Sequence, residues 1–390
     1  VAACVVTVLA VPHASADPIR LRADAVADTQ SETASPAGLL ILQGQDTLRP
    51  WLSAEGLVWA GAKPDATGDV LVLALHAREP HGYADVRVGR FVVATGAIFP
   101  VQIDGADAIV RAPWGSSLEA FGGAPAVPRF GPRAYDWLAG GRASQSIASV
   151  VTVGASYLQR REAGDIANEE LGADLAAAPA PWLDLAAKGA YALATEGLAD
   201  ARVSAAVRTG AVRAELFASD QTPGRLLPAT SLFSVLGDFP SQRAGATVRW
   251  WAAPRLDLLA SGAGVRVGDE PGFDAWIRST LRLDDRGDGS VGLEAHRVDV
   301  PGARWTGVRL VGARPLGRPF AHFRLSTELE LVAPDEPNGR GVVWPWGLLA
   351  CSWRSRWGWN VSATVEAASS PEYRYEVNAL AHLSRALEIP

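Results

Sequence analysis

From residue 182 to the end of the chain, apolar and polar residues alternate almost without a break. Period two is the pattern of a strand with one apolar and one polar face. In "ADARVSAAVR" (199 to 208), Ala199, Ala201, Val203, Ala205 and Val207 share one face, opposite Asp200, Arg202, Ser204 and Arg208. Such a strand separates two solvents. The pattern recurs in "LDLAAKGAY" (183 to 191), "AVRAELFAS" (211 to 219), "RAGATVRWWA" (243 to 252), "LDLLASGAGVRV" (256 to 267) and "FDAWIRSTLRL" (273 to 283). It continues through "GSVGLEAHRV" (289 to 298), "RWTGVRLVGA" (304 to 313), "FAHFRLSTELEL" (320 to 331), "WGLLACSWR" (346 to 354), "WGWNVSATVEA" (357 to 367) and "YRYEVNALAHLS" (373 to 384). Each has about the nine to eleven residues that a tilted strand needs to cross an outer membrane.

Hydrophobic residues make up 48% and charged residues 20% of the 390, yet no run of 18 apolar residues occurs, which excludes a helical membrane protein. A soluble β-sandwich would also alternate, so the connections decide. Thr209-Gly210, Ala253-Pro254 and Ser355-Arg356 are tight, whereas 220 to 242 and 332 to 345 are long. Short turns on one rim and longer loops on the other are the habit of transmembrane barrels.

Before residue 182 the alternation is weaker. "WLSAEGLVWA" (51 to 60), "DVLVLALHA" (69 to 77), "ADVRVGRFV" (84 to 92), "IASVVTVGASYL" (147 to 158) and "EELGADLAAA" (169 to 178) read as strands. Residues 106 to 122 are one bent strand or a hairpin turning at Pro113 to Gly115. Segments 93 to 105 and 123 to 142, rich in Gly, Pro and aromatics, read as loops with structure of their own. The expectation is a single all-β transmembrane antiparallel barrel over 49 to 390. About eighteen strands follow at ~20 residues per strand and connection, with about sixteen to twenty possible. Residues 17 to 48 form a periplasmic extension or a first hairpin. Residues 1 to 16, apolar and ending in Ala14-Ser15-Ala16, read as a signal peptide. Cys4 would leave with it, so the remaining thiol, Cys351, could form no intramolecular disulfide.

Closure suits such a chain, because an unpaired backbone group in hydrocarbon costs several kcal/mol and a barrel has no edge. Many of the fourteen Trp lie near strand ends and suit an aromatic girdle at the headgroups: Trp51, Trp59, Trp182, Trp250, Trp251, Trp276, Trp305, Trp344, Trp346, Trp353, Trp357 and Trp359. The polar faces carry Arg202, Arg208, Arg213, Glu215, Arg249, Arg278, Arg282, Glu294, Arg324, Glu328, Glu330, Arg374 and Glu376. These would line a lumen whose charges tune passage, or pair across strands and merely hold a polar wall together. One connection is too apolar to be solvated: "SLFSVLGDFPSQ" (231 to 242), whose Leu232, Phe233, Val235, Leu236 and Phe239 are expected to fold inward and constrict the mouth.

The net charge is −6 without a basic stripe, which argues against nucleic acid as a partner. No Walker loop, G-x-G-x-x-G, Cys-x-x-Cys or H-E-x-x-H occurs, so no cofactor and no metal site are expected. "DDRGDG" (284 to 289) places Arg286 at a calcium-ligand position and reads as a turn. "NALAHLS" resembles the His-x-Ser pair of outer-membrane phospholipases, in which the His acts as base for the Ser. Arg385-Ala386 stand where that family has Asn-Gly. The chain is therefore expected not to be an enzyme, with lipid hydrolysis by His382 and Ser384 as the alternative.

"ILQGQDTLRPWLSAEGLVWAG" (41 to 61), "VRVGRFVVATGAIFPVQIDGADAIVRAPWG" (86 to 115), "RFGPRAYDWLAGGR" (129 to 142) and "SLFSVLGDFPSQ" resemble outer-membrane β-barrels of Gram-negative bacteria of the myxobacterial type. Arg87-x-Gly-Arg90, followed by Asp104-Gly105, is similar to porin segments where a strand gives way to a loop that folds into the pore. The resemblance implies an outer-membrane location, lipid as a partner, and possible homo-oligomers. It also implies a porin-like channel for polar or anionic solutes, a conduit for polysaccharide secretion, or a plugged structural or surface-interaction barrel.

Overall fold

The computed structural model describes residues 19–30, 33–49, 51–62, 66–126, 136–221, 241–285, 287–316, 322–335, 343–355, 357–369 and 375–389. Regular structure among them is all strand. The first hairpins are β1 (Ile19–Gln30), β2 (Thr33–Arg49), β3 (Leu52–Ala62), β4 (Ala66–Arg78), β5 (Ala84–Val93) and β6 (Val101–Arg111). Next come β7 (Ser116–Pro125), β8 (Trp137–Ile147), β9 (Val151–Glu162), β10 (Asp165–Ala180), β11 (Leu183–Ala192) and β12 (Gly197–Thr209). Then follow β13 (Val212–Gln221), β14 (Ser241–Ala253), β15 (Leu256–Val267), β16 (Glu270–Arg282) and β17 (Ser290–Val300). The last are β18 (Ala303–Pro315), β19 (Phe323–Pro334), β20 (Trp344–Arg354), β21 (Trp359–Ala368) and β22 (Glu376–Ile389).

Each strand pairs antiparallel with its neighbours in sequence, and β1 pairs with β22 from Ile19 opposite Ile389 to Thr29 opposite Ala379. The ladder thus returns to its start, and none of the described strands is left as an edge. The even number agrees with bacterial barrels, but the expected count of about eighteen is corrected to 22 strands among the described residues. Three features account for the difference. Residues 19–49 are the first two strands of the ring, and segments 93–105 and 123–142 contain the start of β6, the end of β7 and much of β8. Two-residue connections at 163–164, 268–269 and 301–302 further shorten the repeat. The glycines in those segments hid the alternation, because a residue without a side chain marks neither face.

Chain direction puts the start of β1 and the end of β22 on one rim, here the terminal rim, with the connections β1–β2, β3–β4 and so on at the distal rim. Trp51, Trp114, Trp182 and Trp357 sit exposed in turns of the terminal rim. Along the walls one face bears exposed apolar side chains, including Leu216, Val248, Ile277, Leu293 and Val308. The opposite face holds one apolar cluster of note, formed by Ala74, Phe91, Val93, Ile98, Val101, Ile103, Phe121, Leu138 and Leu158.

Candidate functional site

That cluster exists because the β5–β6 hairpin leaves the wall. β4 pairs with β3 over Ala66–Ala77, but with β5 only over Leu73–Arg78. Beyond Gly89 and Gly105, which face each other, the hairpin turns away. Gly89 has φ +131°, and a Cβ there would overlap the Leu73 carbonyl oxygen; one at Gly105 would overlap the Gly122 carbonyl. Only glycine permits this bend.

The freed edge of β4 is closed by side chains. Arg90, 3% exposed, donates to the Val70 carbonyl at 3.1 Å and lies 3.5 Å from Asp69. Gln102 donates to the Leu71 carbonyl at 2.7 Å. Arg90 is itself gripped by Asp104, Nε to Oδ1 at 2.6 Å and Nη2 to Oδ2 at 2.8 Å. Carbonyls that would have met β5 amides are thus satisfied, as buried backbone groups must be.

The tip, residues 94–100, docks on the polar face of the following strands. Thr95 Oγ1 donates to Glu119 on β7 at 2.5 Å, and the Phe99 amide reaches Glu170 on β10 at 3.4 Å. Gly96 lies over Arg142, whose Nε and Nη2 hold Asp174 at 3.0 and 2.5 Å. A segment leaving β5 can reach β7, β8 and β10 together only along a chord through the ring. The polar face is therefore the inner one and the exposed apolar face the outer one.

The described members of the sequence-derived set all fall on the inner face. Arg202, Arg208, Arg213, Glu215, Arg249, Arg278, Arg282, Glu294, Arg324, Glu328, Glu330 and Glu376 alternate with outward residues in register. Arg374 lies outside the described residues, as do Leu232, Phe233, Val235, Leu236 and Phe239. Most of the charges are paired laterally. Arg278 donates to Glu294 at 2.6 Å, Arg249 holds Asp257, Arg309 holds Glu328, and Arg202 and Lys188 share Asp200 at 3.2 and 3.7 Å. Asp274 accepts from Arg243 at 2.8 Å and meets His296 at 2.7 Å. Of this set, Arg208, Arg282, Arg324, Glu330 and Glu376 have no ion pair among the described residues, and Glu376 accepts from Asn378 at 3.2 Å. Arg208 stands opposite Arg213, and Arg213 opposite Arg249, a row of three cations near the terminal rim.

Two further expectations need revision or relocation. Trp251, Trp276, Trp305, Trp344 and Trp346 face inward, not toward an outer girdle; the Trp346 indole donates to Glu366 at 2.7 Å, and Arg249 and Arg278 lie over Trp251 and Trp276. For Trp251 and Trp276 the readable signal was their shared parity with Arg249 and Arg278, two residues away. His382 and Ser384 both face inward, but His382 Nε2 meets Asp24 of β1 at 2.7 Å, and Arg22 bonds the same carboxylate at 2.9 Å. The pair therefore stands at the β1–β22 seam.

At the rims, two carboxyls are perturbed. Glu79, in the turn after β4, is held down to about 2 by the His81 backbone and side chain. Asp335, at the distal rim, is held below the usual carboxylate range by the Arg297 fork, whose Nη1 and Nη2 reach its two oxygens at 2.5 and 2.6 Å. Among the described residues no group of three or more His, Cys, Asp or Glu could hold a metal ion.

No protein-family model matches the chain, and no curated protein matches it in sequence. Solved structures do match in fold. The translocation pore of the P pilus usher PapC is similar over 95% of this chain and 100% of its own, with 12% identity and a TM-score of 0.55. The E. coli P pilus tip assembly intermediate PapC-PapD-PapK-PapG matches over 96% of this chain and 61% of its own, with 11% identity and a TM-score of 0.53. Pseudomonas aeruginosa OccD3 overlays more loosely, with a TM-score of 0.47, 9% identity, and coverage of 95% and 91%. At these identities the likeness is one of fold alone, an antiparallel β-barrel.

Proposed function

We propose that this protein is a channel of the Gram-negative outer membrane, passing polar or anionic solutes through a charged lumen narrowed by residues 94–100. The observation that carries this reading is the opposition of the two faces: exposed leucines, isoleucines and valines outside, ion-paired arginines and carboxylates inside, on a ring of strands without an edge. Hydrocarbon against the outer face costs those side chains nothing, whereas water would leave them as an apolar patch far larger than soluble proteins carry. The exposed tryptophans at the terminal rim fit the headgroup level, and the fold likeness to a translocation pore supports the same conclusion. In this reading Arg202, Arg208, Arg213, Glu215, Arg249, Arg278, Arg282, Glu294, Arg324, Glu328, Glu330 and Glu376 line the pore. Lateral pairing fixes Arg202, Arg213, Arg249 and Arg278 in place, and the row at Arg208, Arg213 and Arg249 favours anions.

A second reading, secretion of a polysaccharide, is favoured by the five inward tryptophans, since indole faces suit sugar rings better than small ions. The test of the channel reading is insertion of the purified protein into planar bilayers, together with electrophoresis with and without boiling. Stepwise conductance and a faster-migrating unboiled band are expected. A protein that gives neither is not a channel of this kind.

A further inference from the structure

We propose that the inner face of the distal rim carries a saccharide-binding site, built by Trp305 and Trp344 with Glu270. It rests on the channel reading and names a ligand class for the channel's mouth. A cavity of about 480 Å³ lies there, lined by Glu270, Arg304, Trp305, Pro334, Trp344 and the turn Pro301 to Ala303. That volume is in the range of small-molecule sites, ~300–1,000 Å³. Trp305 stands opposite Pro334, and Trp344 opposite Val332, so the two indoles flank the end of β19 from its two neighbouring strands.

Three properties point to a sugar. The first is shape: a pyranose has a flat face of C–H groups and an edge of hydroxyls. Two half-buried indoles offer flat apolar surface, and His296 braces one of them edge-on, its ring centroid 4.6 Å from that of Trp305. The second is the polar complement. Glu270, on the inner face with the two indoles, offers acceptors to sugar hydroxyls. An apolar solute would strand this carboxylate, and a phosphorylated one would set its charge against it. The third is an orphan donor: the Trp344 indole Nε1 is buried without a hydrogen-bond partner. Buried donors are rarely left unsatisfied, and a hydroxyl held in the cavity would satisfy this one. Prolines at 301 and 334 stiffen the walls, which lowers the entropy lost on binding.

The experiment uses the full chain with maltohexaose, chitohexaose and a polyethylene glycol of matched size. In planar bilayers, the oligosaccharides are expected to interrupt single-channel current at lower concentration than the polymer when added at the distal-rim side. Trp344→Ala and Trp305→Ala are each expected to weaken this by about ten-fold. Trp344→Phe, which keeps the ring and loses the donor, is expected to fall between. All variants should keep heat-modifiable migration and still open as channels in plain electrolyte. Equilibrium dialysis of the detergent-solubilised protein against the same oligosaccharides separates the two readings. Conductance without sugar block or sugar binding overturns the proposal alone. Binding that depends on Trp344 in a protein without conductance overturns the channel reading and keeps the site. Equal block by sugar and polymer, or block untouched by both alanine variants, also sinks the proposal.

Discussion

The Arg90 guanidinium grips both carboxylate oxygens of Asp104 across the β5–β6 hairpin, at 2.6 and 2.8 Å, while its remaining donor reaches back to the Val70 carbonyl on β4. One side chain therefore ties the inward hairpin to itself and to the wall it has left.

Removing Arg90 should free the hairpin. Arg90→Ala leaves Asp104 uncompensated and the Val70 carbonyl bare, a loss of about 3 kcal/mol for a buried pair broken on one side. Single-channel recordings should show higher mean conductance and more frequent transitions. Arg90→Lys should lie close to alanine, because an ammonium cannot reproduce the fork. Conductance indistinguishable from wild type would show that the hairpin does not obstruct the path.

The bend itself depends on Gly89, held at φ +131° with the Leu73 carbonyl where a Cβ would go. Gly89→Val cannot adopt this geometry without strain, at a cost on the order of 1–3 kcal/mol. The expected outcome is a straightened hairpin, read as new protease cleavage within 94–100 in intact protein. A variant as resistant as wild type would place the hinge elsewhere.

Much of the fold was legible because the alternation is dense after residue 182, and a lipid-facing strand has few other ways to be written. Legibility failed where the chain departs from the wall. Gly89, Gly105, Gly122, Gly123, Gly140 and Gly141 fall in β5 to β8 at or beside paired positions, so the inward hairpin and the two wall strands after it carry the least period-two signal. Ala97, Ile98 and Phe99 read as a loop, and only the neighbouring strands show what they touch. The inward tryptophans were missed for a different reason. Trp276 shares parity with Arg278, so its face was readable, but a tryptophan beside a strand end invited the girdle interpretation.

The distal rim should respond to acid. Arg297 holds Asp335 below its ordinary value, so the pair contributes stability above roughly pH 4, and that contribution is lost as pH falls through the depressed folded value. Hydrogen exchange of residues near 297 and 335 should rise on acidification below about pH 4 and stay flat from there to neutrality. In Asp335→Asn the acid step should vanish, with exchange already raised at neutral pH.

The seam between the first and last strands offers a test that separates structure from chemistry. Asp24 is 7% exposed and receives both His382 and Arg22, so Asp24→Ala should strand two donors and lower the temperature at which the unboiled band converts. A loss of about 1–3 kcal/mol is expected. Ser384→Ala should leave that temperature nearly unchanged and reveal no lipid hydrolysis to lose. Phospholipid cleavage by the wild type that disappears in Ser384→Ala would make the pair catalytic instead.

Ion preference should be set near the terminal rim. Arg208, Arg213 and Arg249 stand in consecutive register positions on the inner face, and the carboxylates within reach are fewer than the cations. Glu215 lies 3.5 Å from Arg213, Asp257 holds Arg249, and Arg208 has no ion pair among the described residues. A surplus of fixed positive charge inside a low-dielectric wall attracts anions and repels cations over about one Debye length, ~10 Å at 0.1 M salt and ~3 Å at 1 M. Arg208→Glu should therefore lower the anion-over-cation permeability ratio by roughly twofold in ~0.1 M salt and hardly at all near 1 M. Reversal potentials across a salt gradient measure this directly. Because Arg208 has no ion-pair partner to strand, the fold should survive the change. An unaltered reversal potential at low salt would then mean that solutes pass along another sector of the inner face, away from this row.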